Sequence, residues 1–248
     1  MIIYENTRRG FVNDVKDGLI AIKVQQSFEQ HGIHHNNSAE YRAWSNSLMF
    51  MRNVLDDDEI PDDVSLAVEY QIPLTSKRVD FLLAGNDNEG KPNVVVIELK
   101  QWEDSGLTSR PDVVTAFTGG ANRAVCHPSY QAYSYARIIE TFNEDVSKRD
   151  IHLRPCAYLH NYLEKNRSHI DNTLYQEAIA VAPVFLQEDV AKLRGFIKTY
   201  LLRRFGSLLI AATLKPEPSD RQISLILSHG VARQSLSAVT LVRALWSP

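Results

Sequence analysis

The segment VVVIELK, residues 94–100, constrains the fold more than any other. It is apolar through Ile97 and then sets Glu98 and Lys100 at i and i+2. A strand has a two-residue period, so both charges fall on one face at the strand's end. Two stretches ahead of it also read as strands. LAVEYQI (66–72) alternates Leu66, Val68, Tyr70 and Ile72 with Glu69 and Gln71, and RVDFLLA (78–84) sets Val79, Phe81 and Leu83 against Asp80. PLTSK between them is of hairpin length, and NDNEGKPN (86–93) is dense in turn residues. Neighbouring strands lie about 4.8 Å apart, so Asp80 and Glu98 on adjacent strands can share one cation. Hard divalent ions such as Mg²⁺ take a few oxygen ligands and keep several waters. A nearby lysine can orient water or offset charge building on a phosphate. Asp80, Glu98 and Lys100 are therefore the residue types of a phosphodiesterase centre. The plainer reading is that a strand ends in charges because it has reached solvent.

Two helices weigh against the plainer reading. Ser38 caps a helix over 38–55, with Trp44, Leu48, Met51 and Leu55 on one face and Glu40 on that same apolar stripe. Pro128 opens a helix over 128–145, on which Gln131, Tyr135, Ile138 and Phe142 share a face. A carboxylate or amide on an apolar stripe is costly unless it finds a polar partner, and a pocket at the sheet's end would supply one. The acidic stretch 56–63 reads as a solvated loop. RPCAYLH (154–160) and EAIAVAPVFL (177–186) read as strands and 187–203 as a helix. The order is α-β-β-β-α-β followed by β-α, an α/β layer fold with a mixed central sheet flanked by helices.

These residues resemble the PD-(D/E)XK nucleases, the restriction-endonuclease-like fold. Its pattern is an acidic residue on a helix, a hairpin bearing an Asp, a strand ending in (D/E)-x-K, and a further helix. The resemblance, which spans roughly 36–145, implies that Asp80 is the motif Asp and that Glu98 and Lys100 are the E-x-K pair. Glu40 would be the helix acid, and Gln131 and Tyr135 the Q-x-x-x-Y signature of the RecB-like branch. Val79 stands where the family carries Pro. A metal shell of Asp80, Glu98, the Leu99 carbonyl and Glu40 is implied, holding Mg²⁺ or Mn²⁺, with nucleic acid, DNA or RNA, as substrate.

A narrower resemblance reaches to about residue 200. SAEYRAWSNSL, KRVDF, VIELKQW, HPSYQAYSY, AYLHNY and PVFL look like bacterial proteins that carry this nuclease-like region ahead of a Schlafen group 3-like DNA/RNA helicase domain. That resemblance implies a helicase/ATPase partner domain. Only 48 residues follow residue 200, which implies that the motor is missing. Residues 1–200 thus form the nuclease-like domain, and 201–248 an atypical tail. The tail reads either as a frameshifted or truncated helicase start or as a genuine extension.

Composition sets bounds on these readings. With 248 residues, 44% hydrophobic and 23% charged, the chain can bury a sizeable core. A net charge of −3 excludes a general polycation but not a local basic groove. The tail carries six basic and two acidic residues. Cys126 and Cys156 cannot make a disulfide framework or a four-thiolate zinc site. MIIYENTRRG has no apolar signal core and no stretch is long enough to span a membrane, so a reducing cytoplasm is expected.

Several features remain open or act as decoys. Gly85–Lys91 resembles a phosphate-binding loop but fails at Pro92 and leads into a strand, so it reads as a hairpin turn. His31, His34 and His35 read as a polar loop. His127 is open between facing the site and capping its helix, and His160 between pocket and core. If the hairpin loop holds four residues, Glu69 lies across from Asp80; if five, Tyr70 does. Lys77, Arg78, Arg110 and Arg123 are candidate phosphate contacts. Trp102 and Tyr133 are candidate stacking residues, with core packing the plainer role. Two rivals stand beside a nuclease: a nucleic-acid-binding module without catalysis, and an inactive remnant.

Overall fold

The computed structural model describes residues 2–32, 38–72, 75 and 77–202, and for 38–44 and 144 the backbone alone. Its centre is a mixed six-stranded sheet in the order β1-β2-β3-β4-β7-β8. The antiparallel part comprises β1 (Ile2–Thr7), β2 (Ser65–Gln71), β3 (Arg78–Asn86) and β4 (Pro92–Lys100). β5 (Val113–Thr118) and β6 (Ala121–Cys126) form a separate hairpin. β7 (His152–Leu159) and β8 (Val184–Leu186) then extend the main sheet in parallel. The helices are α1 (Arg8–Lys16), α2 (Ile20–Gln30), α3 (Ser38–Leu55), α4 (Pro128–Phe142), α5 (Glu144–Lys148), α6 (Arg167–Ile170), α7 (Gln176–Val181) and α8 (Val190–Tyr200). The expected α-β-β-β-α-β core is thus α3-β2-β3-β4-α4-β7, with the β5–β6 hairpin inserted before α4.

β4 is the middle of the molecule because both of its faces are covered. Val95 and Ile97 pack with Leu48, Met51 and Leu55 of α3 and Leu193 and Ile197 of α8, together with Phe11 of α1. Val94 and Val96 pack on the other face with Tyr135, Ile138 and Ile139 of α4. A third cluster joins Val114 of the hairpin to Leu159, Tyr162, Tyr175 and Leu186. An apolar run without alternation suits such a doubly covered strand.

The structure departs from the expected facing at one row. Val68 and Phe81 lie in the α3-side core, whereas Tyr70 and Val79 lie in the α4-side core. Both strands therefore change face at Glu69 and Asp80, instead of keeping one apolar side throughout. Glu69 has φ = 54°, a left-handed conformation that breaks the pleat of β2. The hairpin loop holds four residues: Ile72 N–H donates to Lys77 C=O at 2.9 Å. With Val68 opposite Phe81 and Tyr70 opposite Val79, Glu69 falls opposite Asp80.

Other expectations are corrected. Residues 176–181 form α7, not a strand; only Val184–Leu186 joins the sheet. The acidic loop 56–63 is more than solvated. Its Ile60 is fully buried, Asp62 pairs with Arg8 and Arg9, and Asp57 lies 3.7 and 3.6 Å from Arg194 and Lys198. β1, α1, α2 and the β5–β6 hairpin were not anticipated. Gly85–Lys91 is a hairpin turn, with Asp87 N–H donating to Lys91 C=O and Gly90 at φ = 81°. The tail from residue 203, His34 and His35 lie outside the described residues. No helix among the described residues is long and apolar enough to cross a membrane.

Candidate active site

The site forms where β3 and β4 part. Their last paired residues are Phe81 and Ile97. Just beyond, the Asp80 carboxylate takes the Leu99 N–H at 2.7 Å, so a side chain satisfies a donor that the ladder leaves unpaired. Glu98 follows Val96 on the α4 side of β4. Its Oε1 accepts from Lys100 Nζ and, at 2.7 Å, from Gln131 Nε2 on α4. Gln131 also donates to the Tyr135 hydroxyl at 3.0 Å. Five of the expected residues, Asp80, Glu98, Lys100, Gln131 and Tyr135, are thereby brought into one hydrogen-bonded cluster. Leu99 lies between the two charged positions and gives its N–H to Asp80.

Glu40 is different. α3 packs against the face opposite α4, and the Glu40 side chain lies outside the described residues.

The electrostatics follow from burial. Glu98 is 2% exposed. Burial first, and the neighbouring Asp80 carboxylate second, push its carboxyl up to about 8. Asp80 is also raised by burial, against the pull of Lys100 and the Leu99 N–H. Two carboxyls in one dry place share a proton because both charges together are unfavourable. Burial opposes the charge on Lys100, but the two acids override it and hold the ammonium above its usual range. Its Nζ also lies 5.6 Å from the Trp102 ring centroid. Burial pushes the Tyr135 phenol up, with Glu98 adding to it.

Glu98 Oε2 is buried and no N–H or O–H of a neighbouring group donates to it; the proton that the two carboxyls share is what offsets the burial of the pair. A cation between the carboxyls would take the place of that proton. Two carboxylates are hard oxygen donors, suited to Mg²⁺ or Mn²⁺. Among the described residues no group of three or more His, Cys, Asp or Glu gathers as a metal cage. The described donor set therefore fits a cation that keeps several waters.

The chain matches no protein-family model, no curated protein and no solved structure.

The open residues now have places. His127 caps α4: its Nδ1 accepts from Ser129 N–H at 3.2 Å and its Nε2 meets the Ile170 carbonyl at 2.9 Å. His160 is a buried neighbour of the site's frame. It stacks on Phe50 at 4.4 Å, bonds Ser47 Oγ and Asn161 Oδ1, and gives its backbone N–H to the Lys100 carbonyl. Of the candidate phosphate contacts, Arg78 lies 3.6 Å from Glu69 and 5.7 Å from the Phe28 ring centroid, and Arg110 is paired with Asp112. Trp102 packs partly buried against the third core cluster. Tyr133 lines a different cleft, with Arg137, His152 and Arg154.

Cys126, immediately before the His127 cap at the root of the hairpin, lies within electrostatic reach of Lys100, Glu98 and Lys77, and burial pushes its thiol up to about 12.

Proposed function

We propose that this chain is a metal-dependent nuclease of the PD-(D/E)XK type, hydrolysing phosphodiester bonds of DNA or RNA. The observation that carries the reading is the buried Asp80–Glu98 carboxyl pair, Glu98 Oε2 receiving no N–H or O–H, in a cluster with Lys100 and Gln131. Asp80 and Glu98 would hold Mg²⁺ or Mn²⁺, with the Leu99 carbonyl and Glu40 as further ligands by resemblance. A bound Mg²⁺ supplies Lewis acidity, activating water and neutralising phosphate charge. Lys100, held as an ammonium by its two acids, acts as a donor: it orients the attacking water and offsets charge on the phosphate. Gln131 fixes the Glu98 carboxylate, and Tyr135 fixes Gln131. A Schlafen group 3-like helicase association belongs to the same proposal.

The test is hydrolysis of labelled DNA and RNA with Mg²⁺ by the wild type, Lys100→Ala and Asp80→Asn. Loss of cutting in both variants is expected. Equal cutting by all three rejects the assignment. The rival reading is nucleic-acid binding without cleavage. It predicts salt-sensitive binding without metal-dependent cutting.

A further inference from the structure

Lys100 has two neighbours of different kinds. Its ammonium donates to Glu98 Oε1, and it lies 5.6 Å from the centroid of the Trp102 ring. A cation within about 6 Å of an indole ring is attracted by the ring's π-electrons, and the attraction grows as water is removed. The Lys100 side chain is 19% exposed, so little water competes for it. The contact follows from the course of the chain. Residues two apart on an extended chain share a side, so Glu98, Lys100 and Trp102 fall in one row.

That row is held past the end of β4. The Lys100 carbonyl takes the His160 N–H at 3.1 Å, and the Gln101 carbonyl takes Asn161 Nδ2 at 3.4 Å. Gln101 turns to the other side, where its Nε2 donates to Ser47 Oγ of α3 at 3.2 Å. The Trp102 ring packs partly buried against the third core cluster. Lysine carries its charge on a flexible four-carbon stem, so Nζ can pass between carboxylate and ring while Trp102 stays in place.

The two neighbours differ once a divalent ion arrives. An ion on the Asp80–Glu98 pair sets positive charge on the carboxylate that Lys100 already holds, and two cations so close in a dry site repel. An aromatic ring holds an ammonium without drawing on that carboxylate. It also leaves the N–H donors of Lys100 to water and phosphate.

We propose that Trp102 is a positioning residue: its ring is the seat that Lys100 takes when a divalent cation occupies the carboxyl pair, which keeps the ammonium in the site and leaves Glu98 to the ion. The inference deepens the nuclease reading and rests on its two-carboxylate cation site.

The test is a double-mutant cycle read by Mn²⁺ affinity, with the electron paramagnetic resonance of the free ion as signal. The full chain is compared with Trp102→Leu, Lys100→Met and the variant carrying both, and with Trp102→Phe, which keeps a ring. Melting in EDTA checks that each is folded, and Trp102→Met, ringless but longer, replaces Trp102→Leu if the latter does not melt cooperatively. Trp102→Leu is expected to bind Mn²⁺ about tenfold more weakly, as loss of one desolvated cation–π contact does, and Trp102→Phe to recover most of the affinity. In the Lys100→Met background the same substitution changes nothing, because no ammonium is left to seat. Equal affinity for wild type and Trp102→Leu overturns the seat. So does an equal loss with and without Lys100, which is what a tryptophan that only fills space would give. Cleavage with Mg²⁺ is scored separately. Cutting by a wild type whose Mn²⁺ affinity ignores Trp102 removes the seat and keeps the nuclease. A Lys100-dependent effect of Trp102 without cutting keeps the seat and removes the nuclease. A wild type that takes up no Mn²⁺ overturns both.

Discussion

At the scale of single residues, the cluster depends on how a dry site divides charge. Glu98 in the folded chain holds its proton up to about pH 8, whereas an unfolded glutamate releases it near 4.3. The folded state thus binds more protons between those values, and stability falls as pH rises through that window. Glu98→Gln mimics the protonated form and removes this loss. Its melting temperature should match the wild type near pH 4.5 and exceed it at pH 8.5, a comparison made by calorimetry in EDTA. A constant difference at all pH values would contradict the shared-proton account. Gln131→Ala should leave the fold intact by circular dichroism and lower metal-dependent cleavage by about ten- to hundredfold, the range for residues that orient a metal ligand. Asp80→Asn keeps an acceptor for the Leu99 N–H, so its defect should lie in metal affinity and not in folding.

At the scale of elements, α4 is set by its cap. His127 is neutral and buried; burial pulls its imidazole down to about 4. Unfolded histidine takes a proton near 6.5, so the folded state binds fewer protons between those values. This part of the stability is complete above about 6.5 and is lost as pH falls toward 4. His127→Asn, which keeps a capping acceptor, should show a flatter urea midpoint between pH 7 and 4.5 than the wild type. The cap was half legible: Pro128 marked the helix start, but histidine in that position left the role undecided. The hairpin before it was legible and unread. Gly119-Gly120 is a two-residue turn signal, flanked by VVTAFT and ANRAVC. Residues 176–181 misled for a physical reason. Their alternation of Ala and Ile imitates a strand, yet Glu and Ala favour helix, and Asn172 starts the turn by accepting the Leu174 N–H.

At the scale of the molecule, the α3-β2-β3-β4-α4-β7 order was readable because each element carried its own period. Leu48, Met51 and Leu55 on α3 and Ile138 on α4 are buried as their helical spacing requires. The convergence of Glu98 with Gln131 followed from the amide on the apolar stripe of α4. The face change at Glu69 and Asp80 was not readable, since a positive φ at a glutamate has no sequence signature. Register was open until the loop length was known. Leu201 is fully buried and Leu202 N–H donates to the Asn86 carbonyl at 2.8 Å. Leu201→Ala should therefore lower unfolding free energy by about 2–3 kcal/mol in urea titrations, as core truncations do.

The central claim is that Asp80 and Glu98 hold one cation. A crystal soaked in Mn²⁺ and measured at the manganese edge tests it most directly. The account predicts a single anomalous peak between the two carboxyl groups, on the side of Glu98 Oε2, that disappears in Glu98→Gln. A peak elsewhere, or none at a concentration that saturates cleavage, would contradict it.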